Sequence, residues 1–209
     1  MRTNFFSSTE YSITKPDTTV REIELLCKRA VEDAVVAVCV PPLLVEKAKS
    51  FLTDAPVKVV TVIAYPYGYS VIESKLAEII MAMVDGVDEL DVVVNLTALK
   101  NNDWPYLATE LNTLLPVIRK KNKGLTIVLE CGLLNDDELI KCCDLYGIAG
   151  VDFISLATGT GHAAEIDLIR LVRKHLADAV GIKVSGRFLD PQQVAAQFQA
   201  GVARLAQVV

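Results

Sequence analysis

Short, apolar runs rich in β-branched residues alternate with longer amphipathic segments along all 209 residues of this chain. The runs are Val35–Val40, Val57–Ala64, Glu89–Asn95, Leu125–Glu130, Val151–Leu156 and Val180–Val184, with a weaker one at Val202–Val208 and a short opener at Tyr11–Thr14. A strand that is apolar on both alternating faces must be covered on both sides, as parallel strands are. Such a chain is restricted to a doubly wound sheet or a closed barrel.

The intervening segments carry helix signals. Asp17-Thr18-Thr19 precedes Val20–Glu32, Pro42 opens a segment running to Asp54, and Ser70 precedes Ile72–Asp85. Asp103 caps Trp104–Lys121, with Pro105 suited to the first turn. Asn135 and Glu138 form a capping box for a helix to Tyr146, and Asp190-Pro191 opens Gln192–Gln199 with Gly201 as the stop. No G-x-G-x-x-G turn follows the first strand. Polar residues instead recur at the C-terminal ends of several strands: Cys39, Asn95, Glu130, Ser155 and Ser185. Barrels build their sites in that way, so the expected fold is a (β/α)8 TIM barrel, a single domain over residues 1–209.

Composition narrows the function classes. Hydrophobic residues make up 52% and charged ones 22%, which suits a large core, and the net charge of -5 argues against a nucleic-acid partner. The one basic cluster, Arg119, Lys120, Lys121 and Lys123, falls at a predicted helix end where cations oppose the dipole's negative pole. Five cysteines, an odd number, and no signal peptide point to reduced thiols and a cytoplasmic protein. No metal-type Cys/His spacing is visible, so no metal is expected. The apolar stretch Ala34–Val45 is too short to span a membrane and is broken by Pro41-Pro42.

Charges embedded in apolar runs carry the most information. Asp91 shares a strand face with Val93 and Asn95, and Lys183 shares one with Gly181 and Ser185. Buried charges should be paired, so an Asp91–Lys183 contact across the lumen is expected, either as a register-fixing ion pair or as part of a site. The loop Thr158-Gly159-Thr160-Gly161-His162 offers backbone N–H groups to an anion, although two glycines in such a turn are also ordinary turn chemistry. His162 reads as a polar first-turn residue, and Cys142-Cys143 as helix thiols. Cys39 is either a mouth residue or a buried thiol.

Several ordered stretches resemble the deoxyribose-phosphate aldolase family. Val38-Cys39-Val40-Pro41 is similar to its V-C-V-x-P strand, and Thr61-Val62-Ile63-Ala64-Tyr65-Pro66-Tyr67-Gly68 to its T-V-I-G-F-P-x-G, with Lys75 and Glu78 following. Glu89-Leu90-Asp91-Val92-Val93 resembles E-[IV]-D-[MV]-V, and Val128-Leu129-Glu130-Cys131-Gly132 resembles [VI]-[IL]-E-T-G. Asp152-Phe153-Ile154 begins the family's D-F-[IV]-K-T-S-T-G, and Lys183-Val184-Ser185-Gly186 its K-x-S-G-G. The resemblance implies a class I aldolase barrel without metal or redox cofactor. Its reaction interconverts 2-deoxyribose 5-phosphate with glyceraldehyde 3-phosphate and acetaldehyde through an imine on a sixth-strand lysine. A seventh-strand lysine tunes that amine and a fourth-strand aspartate relays protons.

By this resemblance the aspartate is Asp91 and the tuning lysine Lys183, but Ser155 stands at the position of the imine lysine, followed by Leu156-Ala157 in place of T-S. With an anionic neighbour and no cationic one, Lys183 is expected to be a poor nucleophile. Substrate or phosphate contacts map to Cys39, Gly159, Gly186 and Arg187, where Arg187 replaces a glycine and either fills the phosphate space or supplies a new anion clamp. The closing R-[IFL]-G-x-S-S strand reads Arg204-Leu205-Ala206-Gln207-Val208-Val209, the D-H-T segment is Glu10-Tyr11-Ser12, and a common fifth-strand lysine is Thr126.

The expectation is therefore a family barrel impaired or inactive in the family reaction. The alternatives are an active lyase using Lys183 as the imine lysine, with Asp91 or Glu130 handling protons, and a lyase acting on a different phosphorylated substrate. Partners are expected to be a small phosphorylated or aldehyde ligand and further copies of the chain or an active paralogue. The last helix of the barrel is expected to be missing, which would leave apolar surface exposed near Val202–Val208.

Overall fold

The structure is a computed structural model, and it describes residues 5–159, 164–188 and 190–209. Eight strands close in sequence order into a barrel, every neighbouring pair parallel: β1 (Thr9–Ser12), β2 (Ala37–Val40), β3 (Lys58–Ile63), β4 (Glu89–Val93), β5 (Gly124–Val128), β6 (Phe153–Ser155), β7 (Gly181–Gly186) and β8 (Arg204–Val208). Closure pairs Thr9 with Leu205 and leaves no open sheet edge. The doubly wound alternative is thereby set aside.

The helices connecting these strands are α1 (Val20–Glu32), α2 (Val45–Phe51), α3 (Ile72–Val84), α4 (Leu96–Lys100), α5 (Trp104–Lys120), α6 (Asp136–Ala149), α7 (Ile166–His175) and α8 (Pro191–Gln199). Their starts follow local chemistry. Thr19 and Asn135 cap α1 and α6 with reciprocal Glu22 and Glu138 bonds, and Asp103 and Asp190 cap α5 and α8. Ser70 does not cap α3: Val71 occupies that position without a side-chain bond. Pro42 opens a 3-10 turn, Pro42–Leu44, before α2 begins. Two helices, the short α4 and then α5, lie between β4 and β5.

Two expectations need correction. Asn95 does not face the lumen with Asp91, because its Oδ1 accepts from the Ala98 N–H at 3.0 Å and caps α4. Nor is there an exposed apolar surface along β8: Val202 is 5% and Leu205 2% exposed. The bare hydrocarbon lies elsewhere, including Ile80, Met81 and Val84 on α3. Among the described residues, no helix is long and apolar enough to cross a membrane.

Inside the barrel, parallel register puts paired residues on the same side of the sheet. Ser155 pairs with Val128 on one side and Lys183 on the other, and Lys183 in turn pairs with Arg204. Asp91 pairs with Val62 and Thr126. Ala37, Cys39, Val60 and Val62 form a small apolar cluster of their own. Deeper in, the Phe153 ring lies where a Cβ on Gly181 would come within 2.5 Å of it, so β6 and β7 approach there only because position 181 has no side chain.

Candidate functional site

The interior is polar in an unusual way for a barrel core. Lys183, fully buried, places Nζ 2.7 Å from Asp91 Oδ2 and 2.7 Å from Glu10 Oε1. The expected cross-lumen contact with Asp91 is therefore present, and Glu10 is a second carboxylate that sequence reading did not assign to it. Below this triad, Arg204 binds Glu89 through NH1 and lies over the Phe153 ring with Cζ 4.4 Å from its centroid. Lys58 Nζ reaches Glu89 Oε1 at 2.7 Å, and Arg204 NH1 stands 3.6 Å from Glu10 Oε2. Acids and bases alternate through the lumen, which is how a low-dielectric interior tolerates them.

Electrostatics follow from that arrangement. Burial alone would lower the Lys183 pKa, but Asp91 and Glu10 outweigh it and hold the amine above the ordinary lysine value. Lys183 is an ammonium ion. Burial pushes the Cys39 thiol well up, and the Asp91 and Glu10 carboxylates push it further, which favours the thiol over the thiolate. At Glu89 burial opposes ionisation, yet Arg204 and Lys58 bring the carboxyl from 4.5 down to about 2.

Above the triad a cavity opens at the C-terminal ends of the strands, where barrel sites lie. Glu10, Asp91, Cys39, Tyr65, Ser155 and Ser185 are among its lining residues. Lys183 is not among them; its amine is bonded to Glu10 and Asp91, which are. The space for the centre of a water molecule is only about 20 Å³, enough for a water or two. Tyr65 narrows the mouth: its hydroxyl donates to the Thr158 carbonyl at 3.2 Å and accepts from Thr14 at 3.3 Å. Ser155 is buried and donates to the Ala157 carbonyl at 3.2 Å.

The remaining sequence candidates separate. Glu130 does not line the cavity; its Oε2 accepts from the backbone N–H of Thr158 at 3.0 Å and from that residue's hydroxyl, fixing the loop after β6. Gly159 adopts φ +86, and a Cβ there would meet Val208 Cγ2 at 3.4 Å and Ser185 Cβ at 3.5 Å. Gly186 ends β7, Arg187 is exposed beyond it, and the next amide, Phe188 N–H, donates to Gln207 Oε1 at 3.0 Å. Gly161 and His162 lie outside the described residues. Lys75, the other fully buried lysine, sits outside the lumen, where it donates to the Val93 carbonyl and pairs with Glu110, both at 2.7 Å. All five cysteines are free and buried.

Glu10, Cys39 and Asp91 offer ligand atoms within 4.8 Å of one another, a set that could surround a cation. The Lys183 ammonium already touches both carboxylates, and Cys39 is a thiol, so the charge balance of the triad is met by this chain's own lysine.

Glu10, Glu89 and Arg204 are among the lumen residues that sequence reading missed. The signal was available in principle, because a charge in an apolar strand drew attention to Asp91 and Lys183 by the same logic. It failed for Glu10 because the first strand was taken to begin at Tyr11, whereas β1 begins at Thr9.

No protein-family model matches the chain. Curated relatives do. It is 36% identical over 194 residues to the deoxyribose-phosphate aldolase of Thermococcus gammatolerans, covering 91% of this chain and 86% of that protein. It is 34% identical over 204 residues to that of Thermoanaerobacter pseudethanolicus, covering 97% and 92%. Among solved structures, a putative deoxyribose-phosphate aldolase from Coccidioides immitis superposes with a TM-score of 0.92 at 27% identity, covering 97% of this chain and 81% of that one. Matched this closely in sequence over nearly its whole length and in the path of its closed barrel, the chain belongs to the deoxyribose-phosphate aldolase family.

Proposed function

We propose that this member of the family is impaired or inactive in ordinary deoxyribose-phosphate aldol chemistry and that its barrel mouth serves chiefly to bind a small molecule. Imine formation needs an uncharged amine that can reach a carbonyl. Ser155 occupies the strand position that the family resemblance assigns to that amine, and a hydroxyl cannot condense to an imine. The observation that carries the reading is the clamp on Lys183, which is buried, bonded to Asp91 and Glu10, and absent from the cavity lining. In this reading Asp91 and Lys183 are the retained proton-relay and tuning groups and Cys39 lines the ligand space, while Gly159, Gly186 and Arg187 lie outside the lining of the cavity and would contribute from its rim.

Borohydride reduction in the presence of acetaldehyde tests it. The expected result is unchanged protein mass, and a reduced-imine adduct on any lumen lysine overturns the proposal.

One fact favours a second reading, an active lyase with a relocated imine lysine. Lys183 is the direct register partner of Ser155, one strand away at the same level. Turnover lost in a Lys183→Met variant that remains folded, but kept in Ser155→Ala, would support that reading, and no turnover in the parent protein would end it.

Self-association belongs to the same proposal. The Aeropyrum pernix deoxyribose phosphate aldolase of related fold is described as tetrameric, and Ile80, Met81 and Val84 leave exposed hydrocarbon on α3 here. Sedimentation of the purified chain should show a species larger than the monomer; copurification of a second, lysine-bearing family barrel would mark a mixed assembly instead.

A further inference from the structure

A second, smaller cavity lies outside the barrel wall. Val92 and Ile127 are register partners on β4 and β5, one step out of phase with the lumen pair Asp91 and Thr126, so they point toward the helices. They help enclose a space closed on its other side by Leu111 and Leu114 of α5. The polar residues on its lining are Glu110 of α5 and Tyr146 of α6. No lining residue is more than 5% exposed, so the space is sealed from solvent. It gives the centre of a water molecule about 10 Å³, room for one water and nothing larger.

Each of these two residues carries a polar atom, the Tyr146 hydroxyl and Glu110 Oε1, with no hydrogen bond among the described residues. Tyr146 is 1% exposed, and an unpaired hydroxyl at that depth is costly. Glu110 Oε1 is 2.7 Å from Lys75 Nζ, an ion-pair contact outside hydrogen-bonding angle. A carboxylate oxygen has two lone pairs, so it can accept again. Burial also raises the Glu110 carboxyl above its ordinary value and lowers the Lys75 amine. Both shifts mark an ion pair short of solvation.

From this geometry we infer that the cavity is a hydration site, in which one ordered water accepts from the Tyr146 O–H and donates to Glu110 Oε1. The rest of the wall is apolar, so two bonds are what the site provides, at the low end for a buried water. Both orphan atoms gain a partner, and the carboxylate gains the donor that burial denied it. The bridge reaches the barrel. Glu110 pairs with Lys75, and Lys75 donates to the Val93 carbonyl at the end of β4. One water thereby links α6 to α5 and, through Lys75 of α3, to the strand that carries Asp91. The site is separate from the mouth and independent of the binding role proposed there.

A crystal structure of the full chain that resolves waters tests the site directly. One density peak within hydrogen-bonding reach of both Tyr146 Oη and Glu110 Oε1 is expected; a dry cavity overturns the inference. Tyr146→Phe tests it in solution, since it deletes the hydroxyl and keeps the ring. An orphan hydroxyl in a dry cavity is better removed, and the melting temperature would then rise. With a bridging water it should fall, by about 2–4 °C for one lost hydrogen bond in a chain of this length. The same variant leaves the water a single partner, so the number of long-lived waters counted by water relaxation dispersion should drop by one from parent to variant. A melting temperature at or above the parent's overturns the inference. So does an unchanged water count, which would mean that Tyr146 bonds Glu110 directly.

Discussion

Ser155 and Lys183 are direct partners across β6 and β7, yet only the serine borders the cavity. The lysine amine is drawn into the lumen by Asp91 and Glu10, each 2.7 Å away. One strand thus presents a hydroxyl where an amine would be needed, while its neighbour keeps an amine from presenting itself. Whether the triad is merely structural or restrains reactivity can be separated by substitution.

Lys183→Met leaves two buried carboxylates without their cation. Removing one member of a buried ion cluster costs about 3–5 kcal/mol, so a large fall in melting temperature is expected. Ser155→Ala deletes one hydrogen bond and should cost about 1 kcal/mol. Equal losses in a denaturation series would show that the triad is not the main polar support of the barrel interior.

Glu10→Gln removes one of the two anions that keep Lys183 protonated and should raise the fraction of free amine. Acetaldehyde with cyanoborohydride is then expected to label this variant at Lys183 while leaving the parent unlabelled. The Glu10→Gln/Lys183→Met double variant should show no adduct. Labelling of the parent and of Glu10→Gln to the same extent would show that Glu10 does not restrain the amine.

Acid sensitivity should be traceable to Glu89. Its carboxyl is depressed from 4.5 to about 2, so the stability it contributes is fully present above 4.5 and is lost as pH falls through 2. A shift of that size corresponds to about 3 kcal/mol. Glu10 is raised by burial and responds in the opposite sense, so the comparison that isolates the effect is parent against Glu89→Gln. Chemical denaturation between pH 5 and 2 should show a steep loss in the parent and a shallow one in the variant.

Gly181→Ala would place a Cβ 2.5 Å from two atoms of the Phe153 ring. Overpacking of this kind costs about 1–3 kcal/mol. Adding Phe153→Leu should restore part of the loss, measured by thermal unfolding. No rescue would mean that the strain is relieved by backbone movement rather than at the ring.

The apolar runs alone determined that the strands are parallel and covered on both faces, because a strand without a polar side cannot border water. The caps at Thr19, Asp103, Asn135 and Asp190 are equally local, each a side-chain oxygen meeting a free backbone N–H within a few residues. The Asp91–Lys183 contact was legible too, since two lone charges in a closed apolar lumen must find each other. Tertiary structure decided what no local pattern contains. Glu10 joins the triad only because closure brings β1 beside β8, at the far end of the sequence. Asn95 turns away from the lumen because the chain bends into α4 two residues after β4 ends, and the first three residues of β8 are buried. The state of Lys183 also belongs to the fold. A lysine's charge in water is fixed by its own chemistry, but inside a barrel it is set by whichever carboxylates the strand register carries to it.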